Sequence, residues 1–208
     1  MPNEIVGVDF DNTILTYDEV LSRIARERGL LGGEAARTKR EIRDHIRRLP
    51  GGEIEWQKCQ ALSYGPRIGE ARLIEGVPEF FRRCREEGVK VYVVSHKTEN
   101  SRYDTTGTNL REAALGWMVA NGFFEAEGLG LRRDQVFFAA TRAEKIERVK
   151  QLGCTHFIDD LEETFLEERF PAGTVRLLYE PAGESTPPPE VTRMKSWRQI
   201  GEYFFGAN

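Results

Sequence analysis

The stretch Ile5-Val6-Gly7-Val8-Asp9-Phe10-Asp11-Asn12-Thr13-Ile14 decides the fold. An apolar, β-branched run ends in two carboxylates two residues apart, followed by a Thr. Such a run predicts a strand over residues 4–10, buried on both faces as in a parallel sheet. The strand should end near Asp9, which puts Asp11 on the turn that follows. Both acids then stand at the carboxyl end of a buried strand, the edge at which open α/β sheets bind ligands. Carboxylates this close repel one another and are stable mainly beside a cation. The competing reading is an ordinary strand followed by an Asp- and Asn-rich turn. The rest of the chain weighs against it.

Working outward, residues 18–73 read as helix only. Asp18 can cap a helix that carries Val20, Leu21 and Ile24 at helical spacing and ends at Gly29. A second run, 33–49, stops at Pro50-Gly51-Gly52, and a third, 53–63, carries Trp56, Cys59 and Leu62. About 55 residues between two strand signals are too many for a connecting loop and too few for an ordinary domain. They are expected to form a small all-helical cap, inserted into a core made of residues 1–17 and 74–208.

From Gly76 the pattern alternates strand and helix. Strands are predicted over 90–95, 135–139, 156–160 and 175–179, and helices over 78–87, 110–121, 142–152 and 192–205. Residues 96–109 form a long polar loop between two of these elements. The alternation implies an α/β fold, a Rossmann-like core whose parallel five-stranded sheet carries helices on both faces.

Composition narrows the function. The 208 residues are 39% hydrophobic, which suits one α/β domain with an insertion. A net charge of −4 gives no global basic excess, so no nucleic-acid binding is expected. Arg37, Lys39, Arg40, Arg43, Arg47 and Arg48 are local and read as one solvated helix face. Cys59, Cys84 and Cys154 are odd in number and lack metal-type spacing, as expected of free thiols in a reducing compartment. No run reaches membrane-spanning length and no signal peptide is evident, so a cytoplasmic protein without a membrane partner is expected.

Four predicted strand ends carry chemistry: Asp9 and Asp11, then Ser95 with His96-Lys97, then Lys145 at the start of a helix, then Asp159-Asp160. In a parallel sheet these ends share one edge. Each group has a use in phosphoryl transfer. One carboxylate can form an aspartyl-phosphate, and another can protonate the leaving oxygen and later deprotonate water. Carboxylate and carbonyl oxygens suit Mg2+, while a hydroxyl and an ammonium can hold the non-bridging oxygens.

In these features the chain resembles the haloacid dehalogenase superfamily, in its branch of aspartate-nucleophile phosphatases. Asp9-Phe10-Asp11-Asn12-Thr13 matches the first motif, DxDxT. The strand ending at Ser95 matches the second, Lys145 the third, and Ile158-Asp159-Asp160 the acidic fourth. The helical insertion after the first motif sits where many members carry a cap.

The resemblance implies a Mg2+-dependent phosphatase acting on a small phosphorylated substrate. Asp9 would be nucleophile and metal ligand, and Phe10 would lend only its carbonyl. Asp11 would be general acid and base, with its carbonyl on the metal, and Thr13 would support the turn. Ser95 and Lys145 would bind the phosphoryl group, with His96 beside them. Asp160 would be a direct metal ligand and Asp159 a neighbour held through water, although either of the pair fits the direct role. A carboxylate at position 11 argues for phosphate-ester hydrolysis over dehalogenation. Asn12 departs from the Gly common there, but Asn tolerates left-handed backbone angles.

Lys97 and Lys150 compete with Lys145, and His96, Lys97 and Arg102 are candidates for the substrate pocket. Trp56 and Tyr64 are candidates from the cap, although aromatics at helical spacing are more often core. His45 and His156 read as structural. A phosphomutase shares the same residues. A metal-binding D-x-D glycosyltransferase and a non-catalytic phosphoreceiver module fit less well. The oligomeric state is not legible.

Overall fold

The computed structural model describes residues 4–33, 38–183 and 186–206. The chain divides into two compact units, one formed by residues 1–14, 73–97 and 121–208, the other by 15–72 and 98–120.

The first unit is built on a six-stranded sheet in which every neighbouring pair is parallel. In chain order the strands of the molecule are β1 (Ile5–Val8), β2 (Leu15–Thr16), β3 (Arg72–Leu73), β4 (Lys90–His96), β5 (Val136–Ala139), β6 (His156–Asp159), β7 (Val175–Tyr179) and β8 (Val191–Met194). The large sheet runs β5-β4-β1-β6-β7-β8, and the short β2 and β3 pair separately. The order moves outward from β1 on one side, then returns and moves outward on the other. The topological switch therefore lies beside β1, where Val8 is in register with Val93 of β4 and Ile158 of β6. The carboxyl ends of β1, β4 and β6 meet at that point.

The central strands are apolar on both faces, and Val6, Val8, Val93, Val94, Phe157 and Ile158 are all fully buried. Gly7 is required by the same packing. A Cβ there would stand 2.6 Å from the Phe157 ring and 3.0 Å from Cys154 Sγ. Helices α4 (Val77–Glu86), α6 (Arg142–Gln151), α7 (Glu162–Phe165) and α8 (Trp197–Phe205) also belong to this unit. Thr141 caps α6 by accepting from the Glu144 amide, and Ser196 caps α8 by accepting from that of Gln199. Phe80 of α4 packs against Trp197 and Phe204 of α8, with ring centroids 5.1 and 5.4 Å apart.

The sheet has six strands, not the five expected, and the added one is β8. Residues 191–194 resemble the start of a helix because Thr192 and Arg193 are polar. As an edge strand β8 pairs only with β7 and buries just Val191 and Met194, so its apolar signal is weak. The last helix accordingly starts at Trp197, not at 192.

The second unit holds α1 (Asp18–Glu27), α2 (Lys39–Arg47), α3 (Gly52–Tyr64) and α5 (Leu110–Ala120). Thr38 and Glu41 form a capping box at the head of α2. The helix starts at Lys39, after its cap Thr38, and not at 33 as expected; residues 34–37, Arg37 among them, lie outside the described residues. Leu21, Ile24, Ile42, Ile46, Trp56 and Cys59 form its buried interior. Trp56 is thus core of this unit, and Tyr64 stacks on Tyr17 with centroids 4.5 Å apart. Arg40, Arg47 and Arg48 are exposed, and Arg47 pairs with Glu53.

Residues 98–120 group with this unit although the sequence pattern assigns them to the core. Trp117 donates its indole N–H to the Ala71 carbonyl at 3.0 Å, joining the two segments of the unit. No helix among the described residues is long and apolar enough to cross a membrane.

Candidate active site

The site is assembled at the carboxyl ends of β1, β4 and β6. The Asp9 amide donates to the Ile158 carbonyl at 2.8 Å, which extends the β1–β6 ladder by one residue and fixes the Asp9 backbone. The next residues leave the sheet in a tight turn. Asn12 has φ 62°, and it is the only non-glycine residue with positive φ among the described residues. The Asn that departs from the motif therefore adopts the left-handed conformation the turn needs. The Ile14 amide closes the turn on the Phe10 carbonyl at 3.0 Å, and Trp197 donates to the Thr13 carbonyl at 2.8 Å.

Lys145 lies in the first turn of α6 and is 2% exposed, whereas Lys150 is exposed. Its Nζ donates to Asp9 Oδ1 at 2.6 Å and to Asp159 Oδ2 at 2.7 Å. The Leu161 amide donates to the other Asp159 oxygen at 3.0 Å, so both oxygens of this fully buried carboxylate are engaged. Asp160, half-buried, completes a trio with Asp9 and Asp159 whose carboxylate oxygens lie within 4.8 Å of one another.

On the β4 side, Lys97 Nζ lies 3.1 Å from Asp11 Oδ1 and 2.9 Å from Oδ2. Ser95, 1% exposed, has a buried hydroxyl with no hydrogen-bond partner among the described residues. The Thr13 hydroxyl is in the same condition, so the support Thr13 gives runs through its carbonyl. His96 is exposed, with Nε2 3.0 Å from the Ala140 carbonyl, and ties β4 to the turn before α6. The buried cation next to Ser95 is Lys97, which sequence reasoning weighed chiefly as a rival of Lys145. The signal was available: Lys97 stands two residues beyond Ser95 and so on the same side of an extended strand.

The electrostatics follow from this arrangement. Burial raises the Asp9 carboxyl to about 6; Lys145 opposes the rise, and the charges of Asp159 and Asp11 add to it. Burial by itself would lower Lys145, but the Asp159 and Asp9 carboxylates outweigh it and hold the ammonium above its ordinary range. Asp9 and Asp159 compete for one ammonium, so Lys145 is secure in its charge while Asp9 is not. Among these groups the acids outnumber the ammonium ions, with Asp9, Asp11, Asp159 and Asp160 standing beside Lys97 and Lys145. An oxygen-only donor set with that excess fits a hard divalent cation.

No protein-family model matches the sequence, and no curated protein does either. Solved structures do match over nearly the whole chain. One is a HAD family hydrolase from Deinococcus radiodurans with bound phosphate and sodium, 14% identical, covering 98% of this chain and 95% of its own, with a TM-score of 0.56. The fold is that of the haloacid dehalogenase superfamily. An L-2-haloacid dehalogenase is 13% identical and covers 98% of this chain and 99% of its own, with a TM-score of 0.56. A HAD phosphatase from Thermococcus onnurineus is 13% identical and covers 98% and 99%, with a TM-score of 0.50. The same fold thus carries two chemistries, and the choice between them rests on side chains.

Proposed function

We propose that this chain is a Mg2+-dependent phosphatase that hydrolyses a small phosphomonoester through an aspartyl-phosphate on Asp9. The observation that carries this reading is the Asp9–Lys145–Asp159 cluster beside Asp160, with a second carboxylate, Asp11, two residues beyond the nucleophile. A halide leaves without a proton, so its displacement has no need of Asp11. An alkoxide leaves poorly unless protonated, and Asp11 is placed to do that.

Lys145 occupies Asp9 Oδ1, which leaves Oδ2 to attack phosphorus. The bond from phosphorus to the ester oxygen breaks as Asp11, entering this step in its protonated form, gives its proton to that oxygen and is left as a carboxylate. Asp11 then removes a proton from water, which attacks phosphorus, breaks the bond to Asp9 and yields inorganic phosphate. The unpartnered Ser95 hydroxyl is available to a non-bridging oxygen. Asp9, the Asp11 carbonyl and Asp160 would hold Mg2+, since Asp159 is committed to Lys145 and the Leu161 amide. The metal supplies charge neutralisation for the anionic phosphoryl group.

The test is phosphate release from an aryl phosphate and from sugar phosphates, with Mg2+ and with chelator. Asp9→Asn should abolish turnover in a folded protein. Asp11→Asn should slow turnover about 10²–10⁴-fold, most for alkoxide leaving groups. Mass spectrometry should then find the phosphoryl group accumulating on Asp9. Full activity in chelator, or a phosphoryl group on another residue, would sink the reading.

A further inference from the structure

One buried cation has no role in the steps above. Lys97 is 3% exposed and lies just beyond β4. Its amide donates to the Ala139 carbonyl at 2.8 Å, so the β4–β5 ladder continues through it and its backbone is fixed. Its ammonium stands 5.7 Å from the Phe10 ring centroid and within 3.1 Å of both Asp11 oxygens. A buried ammonium must keep a counter-charge. Asp11 supplies it here, yet Asp11 is also the group that the proposed reaction sends to the leaving oxygen and to water. While it serves them, its hold on Lys97 weakens, and the phosphoryl group is the anion the reaction brings. Ser95, on the same side of the strand two residues earlier, offers a buried hydroxyl without a partner.

Resting on the phosphatase reading, the geometry points to Lys97 as a second phosphoryl-binding ammonium that Asp11 holds in reserve, so that Asp11 and the phosphate compete for it. Lys145 does not have this freedom, because it is shared between Asp9 and Asp159. Lys97 and Ser95 would together take non-bridging oxygens on the β4 side of the site.

Competition makes a prediction that a merely structural lysine does not. The measurement is the affinity of inorganic phosphate by calorimetry, at fixed Mg2+, for the wild type, Lys97→Met, Asp11→Asn and the double variant. In the wild type Asp11 already occupies Lys97, so Lys97→Met should cost phosphate affinity a few-fold. In the Asp11→Asn background Lys97 is released to the phosphate. There the same change should cost tenfold or more, as expected for a charge-assisted hydrogen bond. Asp11→Asn alone should bind phosphate more tightly than wild type.

If Lys97→Met does not fold, the comparison of Asp11→Asn with the double variant, in which both charges of the pair are gone, decides by itself. Equal affinity for those two proteins overturns the proposal, and so does an equal cost of Lys97→Met in both backgrounds. A wild type that hydrolyses phosphate esters but shows no such coupling refutes this inference alone. A wild type with neither Mg2+-dependent turnover nor phosphate binding refutes the phosphatase reading and this inference with it.

Discussion

Two buried lysines stand at the same sheet edge in different electrical settings. Lys145 is shared between two carboxylates, Asp9 and Asp159, whose side chains are 6% and 0% exposed. Lys97 is paired with Asp11, whose side chain is 16% exposed and sits on a turn. The first arrangement cannot lose its cation without leaving two buried anions uncompensated. The second lies against an acid that reaches solvent, the setting that the proposed exchange of Asp11 for an incoming anion requires.

The largest expected effect breaks this comparison directly. Lys145→Met should destabilise the metal-free protein by about 3–5 kcal/mol, the usual cost of removing one partner from a buried charge pair. Lys97→Met should cost less, about 1–3 kcal/mol, since the abandoned carboxylate is partly solvated. Urea melts in chelator measure both. Equal losses would show that the two lysines are equally structural.

The next effect concerns Asp9, which is raised to about 6 from an ordinary 3.8. The native state keeps a proton that the unfolded chain gives up between those two values. The contribution of Asp9 to metal-free stability should therefore be greatest below about pH 4, fall as pH rises to about 6, and level off above. The shift corresponds to about 3 kcal/mol at most. Asp9→Asn should remove this slope and raise the metal-free melting temperature at pH 7, while abolishing turnover. Mg2+ should stabilise the wild type most above pH 6. A stability difference between wild type and Asp9→Asn that stays constant from pH 4 to 7 would contradict the arrangement of charges around Asp9.

The smallest effect sharpens the contrast on the Asp11 side. Trp197 is buried in α8 and donates to the Thr13 carbonyl, two residues beyond Asp11. Trp197→Phe keeps an aromatic ring against Phe80 but leaves that carbonyl without its donor. Stability should fall by about 1–3 kcal/mol, the cost of a buried acceptor left unpaired. If the bond fixes the Asp11 turn, kcat should fall up to about tenfold with KM little changed. An unchanged kcat would show that the turn holds without this bond.

Much of the site was legible because it is locally encoded. The run 5–8 is β-branched and apolar, so it makes a buried strand wherever the sheet puts it, and Asp9 and Asp11 follow by chain connectivity. Ser95 and Asp159 were legible for the same reason, as the last residues of apolar runs. The left-handed turn at Asn12 was legible in the residue type. Arg193 and Thr192 hid the edge strand β8, because an edge needs little apolar sequence.

Sequence alone thus determined the parallel sheet, its main strands and the acidic residues at their ends, since these depend on neighbours within a few positions. Only the tertiary structure decided which lysine serves which carboxylate. Strand register and place in a helix made Lys97 and Lys145 candidates, but only distant segments decide which acids lie within about 3 Å of each ammonium. The same holds for residues 98–120, whose helix joins the unit formed by 15–72 through partners such as Ala71, 46 residues from Trp117. Burial and charge pairing are pairwise properties of residues far apart in the chain, so no local pattern carries them.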